Sequence, residues 1–239
     1  MTLNPPKRTL NAVSHRAFKQ RIYPQFARVG QALASEKRLE LLDLLAQGPR
    51  HVDALAEETE MSVANVSQHL QILRGARLVE TDREGTRVVY RLADESVLRL
   101  WLALRSVAES RLAEVGEIAR EFMLGRKEAS GVDHAELERL LATGEACVID
   151  VRPKQEFEHG HLAGAVSIPL DDLPSRLGEL PRDRLIVTYC RGEYCLFADE
   201  AVQLLQEHGF RVARLEGGWP EWSAEGRPVS AGVDLQPIP

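Results

Sequence analysis

At 239 residues the chain is longer than one ordinary domain, and two domains are the natural expectation. Hydrophobic residues make up 44% and charged residues 28%, the balance of a globular protein; no run nears the roughly 20 apolar residues that span a bilayer, and no apolar signal-peptide core opens the chain. Three cysteines are too few for a disulfide scaffold, so a reducing cytoplasmic setting and no membrane partner are expected. The net charge of −6 is unevenly spread: residues 1–123 carry 18 Lys+Arg against 16 Asp+Glu, residues 124–239 carry 12 against 20. That asymmetry points to nucleic acid as a partner for the first half only.

Residues 1–13, with Pro5, Pro6, Lys7 and Arg8, read as a flexible basic arm. From Ser14 to Leu33 the apolar positions keep helical spacing, with Pro24 as a kink or break. Ser35 is a candidate N-cap for a helix ending near Gly48-Pro49, His51 to Glu58 makes a short third helix, and Ser62 caps a fourth that runs to about Arg74. Two short helices around a tight turn are a helix-turn-helix pattern. Arg77–Arg83 and Arg87–Leu92 are β-rich runs separated by Glu84-Gly85-Thr86, a hairpin that would complete a winged helix with Arg83 and Arg87 near its tip, facing phosphates. An all-helical interaction module is the alternative.

Met61-Ser-Val-Ala-Asn-Val-Ser-Gln-His-Leu70, followed by Ile72-Leu73 and Leu78-Val79, resembles the recognition helix of ArsR-type winged-helix regulators over about residues 14–120. The resemblance implies a homodimer on double-stranded operator DNA, built from the first helix and one long helix over Asp94–Met123. Asn65 and Gln68 suit base edges, and Ser62 and Ser67 suit phosphates equally well. Many members of that family sense metals through cysteine pairs or through His and acidic residues on the last helix. Here no cysteine precedes Cys147 and 94–123 holds no histidine, so no metal site is expected; His15, His51 and His69 lack a ligand spacing.

Leu124–Gly131 reads as a linker, residues 132–230 as a second domain and 231–239 as a tail. Beyond the linker, helix and strand alternate: a helix over Asp133–Leu141, strands at Cys147–Val151, Ala165–Ile168, Leu185–Tyr189 and Arg211–Leu215, and a helix over Ala198–Glu207. Such alternation predicts an α/β domain with a mostly parallel sheet behind the mainly α first domain. Between the Leu185–Tyr189 strand and its helix lies Cys190-Arg191-Gly192-Glu193-Tyr194-Cys195. A thiol at a strand-to-helix turn meets the helix N-terminus, which pulls a cysteine of ordinary pKa about 8.5 toward the nucleophilic thiolate. The alternative is a buried cysteine that only packs.

Val148-Ile-Asp-Val-Arg152 with Glu156-Phe157, Gly160-His161-Leu162, Gly164-Ala165 and Ile168-Pro169 is similar to the opening signature of rhodanese-like domains, and Leu215-Glu-Gly-Gly-Trp219 with Trp222 to the closing one. This implies Cys190 as the catalytic residue, carrying sulfane sulfur as a persulfide from a small donor such as thiosulfate, polysulfide or persulfide, with no cofactor. Arg191, Gly192, Glu193 and Tyr194 form its loop, and Asp150 and Arg152 are structural. The loop departs from the family: its glycine comes two residues after the cysteine instead of three. No arginine follows between Arg191 and Arg211, and Glu193 disfavours anions, so phosphatase chemistry is not expected. Cys195 reads as a resolving thiol that closes a bridge to Cys190, and Cys147 as a packing residue. Three functions follow as expectations: a DNA-binding regulator sensing sulfane sulfur or redox state at Cys190 and Cys195, an active sulfurtransferase with an independent DNA-binding domain, or a non-catalytic docking module. Coupling is expected through a shift of the Ala198–Glu207 helix, as the bridge draws the loop off its N-terminus.

Overall fold

The structure, a computed structural model, describes residues 15–85, 87–123 and 131–232. The basic arm, the linker residues 124–130, Thr86 at the hairpin turn and the tail beyond 232 lie outside the described residues.

The first half is a winged helix. α1 (His15–Leu33) passes through Pro24 without ending. α2 (Glu36–Ala46) follows, with Ser35 at its N-cap position but making no side-chain cap bond. β1 (Arg50–His51) leads into α3 (Val52–Glu58). Ser62 caps α4 (Val63–Gly75), its hydroxyl accepting from the Asn65 N–H at 3.3 Å. α4 ends in a Schellman turn: Leu78 N–H reaches the Leu73 carbonyl at 3.0 Å, and Arg77 takes the left-handed backbone (φ 62°) that glycine ordinarily supplies. That turn aims β2 (Val79–Glu84) and β3 (Arg87–Leu92), which pair antiparallel as the wing. The sheet has a third member, β1, whose Arg50 stands opposite Tyr90. Leu41, Leu42, Leu55, Val66, Leu70 and Leu73 fill the core beneath.

The single helix expected over Asp94–Met123 is two. Asp94 caps α5 (Glu95–Arg111), Leu112 turns extended (φ −110°, ψ 103°), and α6 (Ala113–Met123) begins after it. Val107, Leu112, Ile118 and Phe122 are exposed there, as are Phe18, Tyr23 and Phe26 on α1.

The second half is an α/β domain around a five-stranded parallel sheet of order β4-β9-β8-β5-β7. Its elements run β4 (Gly131–Val132), α7 (His134–Thr143), β5 (Ala146–Asp150), α8 (Lys154–His159), β6 (His161–Leu162), β7 (Val166–Ser167), α9 (Leu173–Arg176), β8 (Leu185–Tyr189), α10 (Leu196–Glu207), β9 (Val212–Leu215), α11 (Trp219–Ala224) and β10 (Val229–Ser230). β10 pairs with β6 in a small separate sheet. Gly131, expected in the linker, already belongs to the main sheet, opposite Arg214.

Both faces of that sheet are covered, so its central strands β5 and β8 are buried on both sides and apolar apart from Thr188 and the terminal Asp150 and Tyr189, without a polar alternation. Along β5 and β8, Val148, Val187 and Tyr189 pack with Leu137, Phe157, Trp219 and Trp222 on one face. Cys147, Ile149 and Ile186 pack with Leu173, Ala201, Val202 and Leu205 on the other. Among the described residues no helix is long and apolar enough to cross a membrane.

Candidate functional site at the cysteine loop

Cys190 follows directly on β8 and is fully buried; Cys195 stands at the N-cap position of α10 and is partly exposed. The two are joined in a disulfide with Cα atoms 6.2 Å apart. α10 begins at Leu196 with the bridge in place, Cys195 standing at its N-cap position. Cys147 is buried on the neighbouring strand, where burial pushes its thiol up to about 11, consistent with a packing role.

Three devices hold the loop. Gly192 takes a left-handed φ of 144°, and its carbonyl accepts from Cys195 N–H at 3.2 Å. Arg214 on β9 donates to the carbonyls of Gly192 (3.1 Å) and Glu193 (2.5 Å) while paired with Asp199 at 3.0 Å. Gly218 presses on the loop from the other side: a Cβ there would lie 2.5 Å from the Cys190 carbonyl and 2.4 Å from Gly192 N, and Trp219 N–H donates to that carbonyl at 3.1 Å. Of the paired glycines of the closing signature, Gly218 therefore serves close backbone approach, and Gly217 takes a left-handed φ of 78°.

Beneath lies a buried polar cluster. Arg152 pairs with Asp150 at 2.6 Å, both fully buried, and donates to the Gly160 carbonyl at 2.8 Å. The Tyr189 hydroxyl donates to Asp150 as well. Burial, with the Asp150 carboxylate beside it, raises the Tyr189 phenol well above its ordinary range. Burial works against the Arg152 charge, and Asp150, with Tyr189 and Glu156, together more than offset it, so the guanidinium stays protonated. Asp150 and Arg152 thus sit under the loop as structural groups.

The loop is also the seam between the domains. Gln47, fully buried at the C-cap of α2, donates from Nε2 to the Arg191 carbonyl at 3.1 Å and accepts from Arg152 Nη1 at 3.4 Å. Arg191 points out of the loop into a four-member ion cluster: its Nη1 meets Glu58 of α3 at 2.9 Å, its Nε meets Glu156 of α8 at 2.9 Å, and Arg50 of β1 pairs with both carboxylates. A second bridge joins Arg105 of α5 to Glu221 of α11. Burial, with Glu109 of α5 beside it, pushes the Tyr194 phenol up to about 12. Contacts with the first domain therefore include the loop's own residue Arg191 alongside Glu156 of α8 and Glu221 of α11.

Gln47, Glu58, Arg105 and Arg214 were not singled out from sequence, and Gly218 stood there only as part of the closing signature. Gln47 carried one signal, a polar residue closing the run Leu44-Leu45-Ala46. Glu58, Arg105 and Arg214 are ordinary charges until the fold brings them together.

In the first domain, Ser62, Asn65 and Gln68 are exposed along the start of α4 and Ser67 is half-buried. Gln71 is turned toward the wing, its Nε2 3.4 Å from the Tyr90 hydroxyl. Arg83 and Arg87 are exposed, but the register pairs Arg83 with Val88 and Glu84 with Arg87, which puts the two arginines on opposite faces of the ribbon. Among the described residues no cluster of His, Cys, Asp and Glu is placed to hold a metal ion.

A winged helix joined to a rhodanese-like domain defines a class of transcriptional regulator. Residues 35–81 match the family of bacterial regulatory proteins of the arsR family, and residues 133–225 match the rhodanese-like domain. The HTH-type transcriptional regulator Rv0324 of Mycobacterium tuberculosis is 46% identical over 217 residues, 91% of this chain and 95% of that protein. The chain belongs to the ArsR-type transcriptional regulators with a C-terminal rhodanese-like domain. A sulfurtransferase of Allochromatium vinosum is 33% identical over 94 residues, 39% of this chain and 87% of that protein. Among solved structures, the homodimeric winged helix-turn-helix DNA-binding domain of Mb0332 from Mycobacterium bovis (fragment 1–100) is 42% identical, with a TM-score of 0.38, covering 46% of this chain and 94% of its own.

Proposed function

We propose that this regulator senses sulfane sulfur or redox state at Cys190 and Cys195 and converts it into a change of operator affinity. The observation that carries the proposal is the pair of contacts from the loop between the cysteines into the DNA-binding domain, Arg191 to Glu58 and the Arg191 carbonyl to Gln47. In this reading Cys190 accepts sulfane sulfur as a persulfide. The Cys195 thiolate attacks the Cys190 sulfur, the S–S bond of the persulfide breaks, hydrosulfide leaves and the bridge closes. The dithiol or persulfidated loop and the bridged loop then hold Arg191 differently, and α3, packed on the recognition helix α4, feels the difference. The bridge shifts DNA binding only by its differential interaction with the free and bound shapes. Operator titrations of the reduced, polysulfide-treated and bridged protein at one salt concentration test this. Equal affinities in all three states would overturn it.

A homodimer, residues 14–123 as its DNA-binding unit and residues 132–230 as its sensing unit complete the proposal, with Gly131 added to the latter. The exposed apolar side chains of α1, α5 and α6 support the dimer, because such a face is commonly buried against a second copy. Asn65 and Gln68 are assigned to base edges, and Ser62, Ser67, Arg83 and Arg87 to the sugar-phosphate backbone. Gln68→Ala is expected to weaken specific binding by about 1–3 kcal/mol, and Arg87→Ala to lower affinity for all sequences and reduce the salt slope by about one. Fluorescence anisotropy on operator and scrambled duplexes over a salt series separates the two effects.

The similarity to a sulfurtransferase favours a second reading, turnover at Cys190 independent of DNA binding. Here Cys190→Ser is expected to abolish transfer to an acceptor thiol, because a hydroxyl cannot carry sulfane sulfur. Cys195→Ser is expected to preserve or raise transfer, since the competing attack is gone. Persulfide-transfer assays on both variants decide, and transfer that survives Cys190→Ser would reassign the carrier.

A further inference from the structure

We propose that the cavity between the two domains is the entry port through which a small organic thiol with an uncharged or cationic apolar body opens the Cys190–Cys195 bridge, attacking at Cys195. The inference rests on the reading that this cysteine pair cycles between bridged and open forms. The cavity has a volume of about 600 Å³, within the range of small-molecule sites, and Cys195 forms part of its wall. Cys190 does not: its side chain is fully buried in the core under α10. A nucleophile arriving from solvent therefore meets the Cys195 sulfur first.

The wall states what kind of thiol fits. Trp101 and Leu104 of α5, Val115 of α6 and Leu196 and Phe197 of α10 make it mainly apolar. Its two arginines are each committed to two carboxylates, Arg105 to Glu109 and Glu221, Arg191 to Glu58 and Glu156. Glu40 and Asp43 also line it. The Asp43 carboxylate accepts from Trp101 Nε1 at 3.0 Å, and its pKa is raised, chiefly by burial. Such a wall attracts an apolar body and disfavours a carboxylate or sulfonate carried beside the thiol.

The chemistry balances with two equivalents of the thiol. The first, as thiolate, bonds to Cys195 Sγ; the Cys190–Cys195 bond breaks and its electron pair leaves on Cys190 as thiolate. A second thiolate attacks the added sulfur, releasing Cys195 as thiolate and the small-molecule disulfide. The protein disulfide is reduced by two electrons and two small thiols are oxidised to one disulfide. While the first equivalent is attached it fills the space between α5 and the cysteine loop, so the reductant occupies the seam between the domains.

The bridged full-length protein tests this with benzyl mercaptan, cysteamine and 3-mercaptopropionate, each rate divided by the same thiol's rate with a short unstructured Cys–Cys peptide disulfide. The relative rate for benzyl mercaptan is expected to exceed that for 3-mercaptopropionate about tenfold or more, the size set by burying an aromatic ring. Cysteamine is expected to exceed 3-mercaptopropionate too. Ala108→Trp, which fills the cavity, is expected to erase the benzyl advantage. Acid quenching at partial conversion, alkylation with N-ethylmaleimide and peptide mass mapping should find the benzylthio group on Cys195 and the maleimide on Cys190. The mapping uses the unmodified chain, so it decides even if Ala108→Trp does not fold. A benzylthio group on Cys190, or equal relative rates for the three thiols, would overturn the port. An operator affinity indifferent to the bridge, with these rates and this map intact, would overturn the sensor reading and leave the port standing.

Discussion

Asp150→Ala is expected to destabilise the rhodanese-like domain by about 3–5 kcal/mol, because it strands a buried guanidinium without its counter-charge. Arg152 has no exposed surface, and its carboxylate partner also accepts from Tyr189. Removing the carboxylate leaves two buried donors, a hydroxyl and a guanidinium, with no acceptor of equal strength in reach. Urea denaturation followed by tryptophan fluorescence, with Trp219 and Trp222 reporting from the core on that face of the sheet, measures the loss. The double variant Asp150→Leu with Arg152→Met is expected to recover most of it, since an apolar pair of similar volume need not desolvate charge. A loss below about 1 kcal/mol in the single variant would mean the pair is hydrated and the loop does not rest on it.

The second large effect concerns the seam. Gln47→Ala is expected to bring the operator affinities of the bridged and open forms together, where in the parent protein they should differ by roughly 5–150-fold. Gln47 is the one fully buried polar residue among the described residues of the DNA-binding half, and it touches both the loop carbonyl and Arg152. Alanine leaves that carbonyl unanswered and loosens the loop from α2 in either state. Glu58→Gln removes the partner charge of Arg191 on α3 and should act in the same direction, more weakly because Glu58 is partly exposed. Affinity differences that persist undiminished in both variants would place the coupling elsewhere.

Much of this arrangement was legible in the sequence. The cap at Ser62, the helix starts near Asp94 and Asp133, the wing, the strand before Cys190 and the helix after Cys195 all have short-range causes, and short-range causes are what sequence periodicity reports. The break at Leu112 was hidden because Leu104, Leu112, Val115 and Ile118 keep helical phase across it, with no glycine or proline at the break. The two-residue strands β1, β4, β6 and β10 were missed because two residues have no period. The bridge was anticipated as chemistry, whereas the accessibility of its two sulfurs depends on how α10 covers Cys190, which spacing alone does not specify. The seam was invisible for a deeper reason. Arg191 and Glu58 are 133 positions apart, and ion pairs at that separation leave no mark on local composition.

Gln47 has a further consequence, for how the molecule comes apart. Two domains with separate apolar cores would ordinarily melt as two calorimetric events. Here α2 cannot unravel without exposing the Arg191 carbonyl, and the rhodanese-like sheet cannot unravel without leaving Gln47, Arg50 and Glu58 facing an empty seam. Each half acts as a bound ligand of the other, and a ligand that binds only the folded form raises its melting temperature. The heat-capacity trace of the intact chain should therefore show a single peak, with a calorimetric to van't Hoff enthalpy ratio near one.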